Sequence, residues 1–478
     1  MSIKDKKENI NNQELTQYTI KDLSQKIYDK SISPIELTNA YLDNIKFFDK
    51  ELNSFMEVYE DSALKTAIRL EKEQLSGDIR GPLHGIPIGL KDIFDVKNKI
   101  TTVGSKILRN NFVSSNATVV EKLEASGAII IGKTSLVEFA FGSTGLNPHY
   151  PQTVNPWNKE KIPGGSSSGS GVAVSSKLCV AALGTDTGGS VRMPASLCGV
   201  SGLKPTYGLV SRTGVFPLSW TLDHVGPLAR TPYDCGVIMN SISGYDPSDK
   251  YSILLDDFDF NRKIGKSIRG IKIGIPQEYF FDDLDSEIEG KVNNSISFLE
   301  DNGAIIQKIS CPWVKFGRSI NFIISSSEGL SIHENWLKKF RDQYDPEVKS
   351  RFLSAKSISS NDYIKALKAK EWFTEQMNNV FKKVDLIVSP TIPILATDIK
   401  DDPNVASIKN PSFTGVFNVT GHPSLSVNVG FSKSKLPIGL MISGRHKEDD
   451  LVLQVGEVIS GAESTYYRKN VSQIQETR

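Results

Sequence analysis

A helical pattern that stops at glycine and runs straight into a short apolar stretch occurs twice in this chain, and it narrows the available folds more than any other feature. Thr118 to Ala125 reads as a helix stopped at Gly127 and followed by Ala128-Ile129-Ile130-Ile131; Ile288, Val292, Ile296 and Leu299 fall on one helical face before Asn302-Gly303 and Ala304-Ile305-Ile306. A run with no polar alternation is a strand covered on both faces, which calls for helices on both sides of a sheet. Ile271 to Ile275, Leu386 to Val388, Leu425 to Val429 and Ile438 to Ile442 predict further strands, and the capping box Ser33-Pro34-Ile35-Glu36 predicts a helix through about Ile45. The expected class is α/β, with a mixed, twisted β-sheet core surrounded by α-helices.

The 478 residues, 39% of them hydrophobic, suffice for a large core. Residues 1–17 are polar and lack the apolar centre of a signal peptide, so a loose N-terminal tail is expected there, with 18–478 as a single domain. The Gly/Ser-rich stretch 164–171 has the composition of a linker, yet Val172-Ala173-Val174 and Leu178 to Leu183 resume a core pattern at once; a tight turn packed on a helix start fits better. The weaker candidate for a divide is the loop Gly244 to Asp249. Lys plus Arg number 56 against 55 Asp plus Glu, so no global field recruits nucleic acid or an anionic membrane. No run of about 18 uncharged apolar residues occurs. Cys179, Cys198, Cys235 and Cys311 are too few and too scattered for a disulfide framework or a metal clip, and a cytoplasmic setting is expected.

Two phosphate- and serine-type motifs arise by pattern alone. Gly127 to Thr134 matches a phosphate-binding loop, but its middle residues Ala-Ile-Ile-Ile are themselves a strand, where that loop must be flexible and wrap phosphate with its N–H groups. Gly165-Ser166-Ser167-Ser168-Gly169 matches the nucleophile elbow, with Ser167 as nucleophile and Asp385 and His422 or His446 following in order. The elbow needs a buried strand directly before it, and Lys159 to Pro163 is charged and Pro-terminated; Ser167 stays a rival. His84, His149, His224, His333, His422 and His446 show neither a helical metal pair nor an adjacent acidic cluster and read as structural, so no metal is expected. Should a serine act here, its base need not be a histidine.

A lysine fits that gap. Gly81-Pro82-Leu83-His84-Gly85-Ile86-Pro87-Ile88-Gly89-Leu90-Lys91-Asp92 ends an apolar run on Lys91. Together with Ile162-Pro163-Gly164-Gly165-Ser166-Ser167-Ser168-Gly169-Ser170-Gly171 and Gly184-Thr185-Asp186-Thr187-Gly188-Gly189-Ser190-Val191-Arg192, this segment resembles the amidase signature family. The resemblance runs from about Tyr18 to Glu463 and takes in Asn155-Pro156-Trp157, Cys198 to Thr206 and Phe417 to Pro423. It implies a Ser-cisSer-Lys set with Ser190 as nucleophile, Ser166 as bridging serine behind a cis peptide bond, and Lys91 as base. A lysine must lose about 3 units of pKa to accept a proton at neutral pH, and burial beside Ile88 and Leu90 is a physical route to that. Thr187, Gly188 and Gly189 would present backbone N–H groups to the substrate oxygen, and Asp186 and Arg192 would brace the loops as an ion pair.

The resemblance implies amide hydrolysis through an acyl-enzyme, without metal or organic cofactor. Substrate would be read by the loop holding Phe141 and Gly142 and by the segment Trp313 to Trp336, whose aromatic residues suggest an apolar or aromatic acyl group. The family also includes urea-derivative hydrolases and the subunit that frees ammonia from glutamine for tRNA-dependent transamidation. That branch usually carries Gln where Met193 stands and an acidic residue near Pro411-Ser412, and Gly214 to His224 looks like the stand-alone amidases. A stand-alone amidase is therefore the expected reading, with a small-molecule amide as partner, a homodimer left open, and partner subunits only in the transamidating case.

Overall fold

The computed structural model describes residues 12–255 and 258–461. Its centre is one eleven-stranded sheet. In chain order the strands are β1 (Phe55–Val58), β2 (Pro87–Lys91), β3 (Ile129–Thr134), β4 (Ala181–Asp186), β5 (Ser201–Lys204), β6 (His224–Ala229), β7 (Lys272–Pro276), β8 (Ile305–Ile309), β9 (Leu386–Pro390), β10 (Ser424–Phe431) and β11 (Pro437–Gly444). They lie side by side as β1-β3-β2-β4-β6-β5-β10-β11-β9-β7-β8. β2 is parallel to β3 and β4, and β7 is parallel to β8 and β9, while the strands between the two groups are antiparallel. The sheet is mixed, and helices enclose it, as the apolar runs require.

Every apolar run read as a strand lies on one, with ends that differ by up to three residues. The helix opened by the Ser33 capping box runs on to Leu52, past the expected end near Ile45. The apolar pattern lapses where Phe47 is exposed, but the helix continues until Asn53 takes a left-handed conformation and caps it. The loop Gly244 to Asp249 is fastened to the body: Asp246 accepts from Ser211 and Thr118, and Asp249 holds the Arg212 guanidinium. Residues 1–11 of the expected tail lie outside the described residues. Asn12–Leu15 form a helical turn with Leu15 buried, and Asn44 Nδ2 donates to Thr16 Oγ1, so the segment just before residue 18 packs on the body through its apolar residue.

Within β3, Lys133 is buried and its Nζ meets Asp92 Oδ1 at 2.9 Å. The lysine of the formal phosphate-loop match is thus neutralised inside a strand.

Candidate active site

Strand pairing sets the centre of the site. With β2 parallel to β4 and Leu90 opposite Leu183, the carboxyl ends of both strands finish on the same edge of the sheet, where open α/β sheets gather ligands. Lys91 ends β2 and Asp186 ends β4. Lys91 is fully buried, and its Nζ donates to Ser166 Oγ at 2.8 Å and to Thr185 Oγ1 at 2.7 Å. Burial disfavours the ammonium and brings its pKa down to about 7, against the opposing pull of Asp223 and Asp186. Neutral amine is then present at neutral pH, and it can accept the Ser166 proton as readily as donate to that oxygen.

Ser166 is delivered by the turn before the helix Ser168–Ser175, and the Gly165–Ser166 peptide bond is cis. A Cβ on Gly169 would stand 2.3 Å from both Ser135 N and Ser54 O, so glycine lets this helix press directly on neighbouring backbone. That close approach explains the linker-like composition. Ser167 faces inward: its Oγ donates to Thr185 O and accepts from Thr185 N, both at 3.3 Å. No strand precedes it, Asp385 is bonded to Arg445, and His422 stacks on His446, so the elbow lacks its strand, its acid and its base.

Ser190 sits in a turn held from two sides. Beneath it, buried Asp186 accepts from Gly189 N at 2.8 Å, Val191 N at 3.1 Å, Arg192 Nε at 3.0 Å and Nη2 at 2.9 Å, and Asn418 Nδ2 at 2.8 Å. Burial pushes this carboxyl up, but Arg192 and Asn418 outweigh it and hold it well below the usual carboxylate range. Asp186→Asn would leave the wholly buried Arg192 guanidinium uncompensated, so we expect a loss of about 3 to 5 kcal/mol in urea unfolding; a change under about 1 kcal/mol would remove the pair as the turn's anchor. On the other side, Thr187 O accepts from Asn321 Nδ2 at 2.8 Å, Gly188 O accepts from Thr414 Oγ1 at 2.6 Å, and Thr187 Oγ1 donates to Asp223 Oδ1 at 2.6 Å. Pinned carbonyls fix the direction of the peptides they belong to.

The Gly189 N–H, expected to face the substrate oxygen, donates to Asp186 Oδ1 at 2.8 Å. Glycine is needed at 189 for a different reason: φ is +130°, and a Cβ would lie 2.1 Å from Thr414 Oγ1.

Ser190 opens into a cavity of about 290 Å³ that Phe141, Gly142, Thr187 and Gly188 also line. Phe139 and Ala140, just before it, both hold left-handed backbone (φ 52° and 57°), a conformation costly for such residues. Phe139 is kept there by packing on His333, Trp336 and Tyr344. Of the aromatic residues expected to meet an acyl group, Phe141 lines the cavity, as does Phe322 of the Trp313 to Trp336 segment, whereas Trp313 packs edge-on against Phe373 at 4.5 Å and Trp336 stacks on Phe216 at 5.9 Å. Hydroxyls and charges line it as well, among them Ser143, Ser325, Ser407, Arg318 and Arg351. Thr185, Asp223, Asn321 and Thr414 were not anticipated as parts of the site. Thr185 lay inside the Gly184 to Arg192 segment, next to the strand end, which was a usable signal; Asn321 and Thr414 come from distant helices that no local spacing connects to it. Among the described residues, no group of three or more His, Cys, Asp or Glu is placed to hold a metal ion.

The profile of the Amidase family matches residues 36–453. The chain belongs to the amidase signature family. As a member it is a hydrolase acting on linear amide C–N bonds. It is 37% identical over 463 residues to the A subunit of glutamyl-tRNA(Gln) amidotransferase from Rippkaea orientalis, covering 92% of this chain and 96% of that one. Among solved structures it resembles the corresponding A subunit from Thermotoga maritima (TM-score 0.80, 32% identity, 93% of this chain and 94% of that one). It also resembles the peptide amidase of Stenotrophomonas maltophilia (TM-score 0.84, 28% identity, 93% and 97%). The amidase fold and the amide-cleaving class are therefore as the sequence resemblance implied.

Proposed function

We propose that this amidase works through Ser190, Ser166 and Lys91. The observation that carries the proposal is buried Lys91, its pKa drawn down to about 7, with Nζ 2.8 Å from Ser166 Oγ. Neutral Lys91 takes the Ser166 proton as Ser166 takes that of Ser190, and Ser190 Oγ attacks the amide carbon. Backbone N–H groups of the Thr187 to Ser190 turn, Gly189 excepted, receive the developing oxyanion. Protonation through Ser166 releases ammonia or an amine, and water hydrolyses the acyl-enzyme. Residues 18–478 are read as one domain, supported by a single sheet whose strands span residues 55 to 444. A cytoplasmic setting is supported by four unpaired, buried cysteines; no helix among the described residues is long and apolar enough to cross a membrane.

The relatives favour the glutaminase-subunit reading over the stand-alone amidase expected from the sequence, since the match to A subunits spans nearly the whole chain. One observation favours the stand-alone reading. Met193 and Pro411, where the transamidating branch carries Gln and an acid, both line the cavity at Ser190 and leave its wall apolar there. The test is ammonia or amine release by the purified chain from glutamine and from a panel of other amides, with and without added transamidase partner subunits. Release from other amides by the chain alone supports the stand-alone enzyme. Release from glutamine only with partners supports the glutaminase reading, and no release from any amide under either condition overturns the amide reading.

A further inference from the structure

The cavity beside Ser190 has an unbalanced charge. Its charged lining residues are Arg318, Glu347 and Arg351. Arg351 is committed: its guanidinium donates to the Phe141 carbonyl, to Glu347 Oε1 and, at 2.9 Å, to Ser407 Oγ, while Ser407 donates to Glu347 Oε1 at 2.9 Å. Arg351 and Glu347 thus neutralise each other and brace the Phe141 loop from behind. Arg318, in the first turn of the helix Gly317–Lys339, is half-buried and makes no ion pair or hydrogen bond among the described residues. Ser350, Ser354 and Asn404 add further polar groups to the wall.

We propose that Arg318 is a specificity-determining residue that takes a carboxylate on the acyl part of the substrate, so that Ser190 receives the monoamide of a dicarboxylic acid. This rests on the amide hydrolysis proposed above. A guanidinium presents a rigid fork that matches a carboxylate through two parallel hydrogen bonds, and it gains more from doing so in a partly enclosed cavity than in open water. For an α-ammonium group the same wall offers hydroxyls and amides but only one carboxylate, Glu347, whose charge Arg351 already balances. Glu347 is engaged, Met193 and Pro411 are apolar, and no other carboxylate lines the space. Glutaramate, which is glutamine without its amino group, fits this balance of charge better than glutamine does.

The full chain is assayed on butyramide, glutaramate and glutamine, and glutarate is tested for protection of Ser190 against a fluorophosphonate probe. We expect kcat/KM for glutaramate to exceed that for either other amide by about 10-fold or more. Arg318→Gln lowers the glutaramate-to-butyramide ratio by about 10-fold or more, mainly through KM, and Arg318→Lys recovers part of it. Glutarate slows labelling of the wild-type chain and not of Arg318→Gln. Equal use of glutaramate and butyramide, faster turnover of glutamine, or an unchanged ratio in Arg318→Gln overturns the assignment. If no amide is turned over while Ser190 still labels, the hydrolysis reading fails, and glutarate protection alone decides whether Arg318 binds carboxylate.

Discussion

Ser190→Ala is expected to end labelling by a fluorophosphonate probe and to lower amide turnover by about 10⁴-fold or more, the scale on which removing a serine nucleophile acts. The residue is nearly buried yet lines the cavity, and its turn is fixed by the Asp186 carboxylate beneath and by Asn321 and Thr414 above, so its removal deletes one reacting oxygen without loosening the frame. Ser167→Ala is the informative control. Its hydroxyl bonds both the N–H and the carbonyl of Thr185, so the substitution costs stability, about 1 to 3 kcal/mol for the buried groups left unpaired, while labelling at Ser190 continues. A folded Ser167→Ala protein that no longer labels, beside a Ser190→Ala protein that still does, would hand the nucleophile to Ser167.

How far these positions were legible depended on whether their partners were local. Asp186 and Arg192 lie within one turn of chain, and their ion pair followed from the sequence. β3 and β8 announced themselves as unbroken apolar runs after a helix and a glycine. β5 (Ser-Gly-Leu-Lys) and β6 (His-Val-Gly-Pro-Leu-Ala) did not, because glycine and proline weaken a strand signal and these two owe their burial to neighbouring strands. The pairing of Lys91 with Ser166 is of a third kind. It depends on β2 and β4 being parallel neighbours and on a helix packing close enough to aim the intervening turn, and no periodicity encodes that; only the family resemblance made it readable. The hydroxyls and charges in the cavity wall were missed for a related reason, since Trp313 and Trp336 mark an aromatic-rich segment but not which of its rings face the cavity.

Lys91→Met is expected to lower kcat/KM by about 10³- to 10⁴-fold and, at neutral pH, to make the protein more stable. The working form of the lysine is the neutral amine. With a folded-state pKa of about 7, wild-type kcat/KM should fall tenfold per pH unit below that value and level off above it. The variant should lose this limb along with its rate. Stability runs on the same titration. The ordinary lysine value is 10.5, so between about pH 7 and 10.5 the unfolded chain holds a proton that the folded chain does not, and stability rises with pH through that window. Below pH 7 both states are protonated, and the folded state carries a charge its surroundings disfavour at a cost of about 5 kcal/mol. Methionine removes that cost and loses only the bonds to Ser166 and Thr185, so urea unfolding at pH 7 should show a net gain on the order of 1 to 3 kcal/mol. A variant that turns over at a near-normal rate would strip Lys91 of the base role. One that is inactive but keeps the acid limb would show that the group titrating near pH 7 is not this lysine. Loss of rate together with gain of stability would mean that the buried amine is retained for chemistry at the expense of the fold.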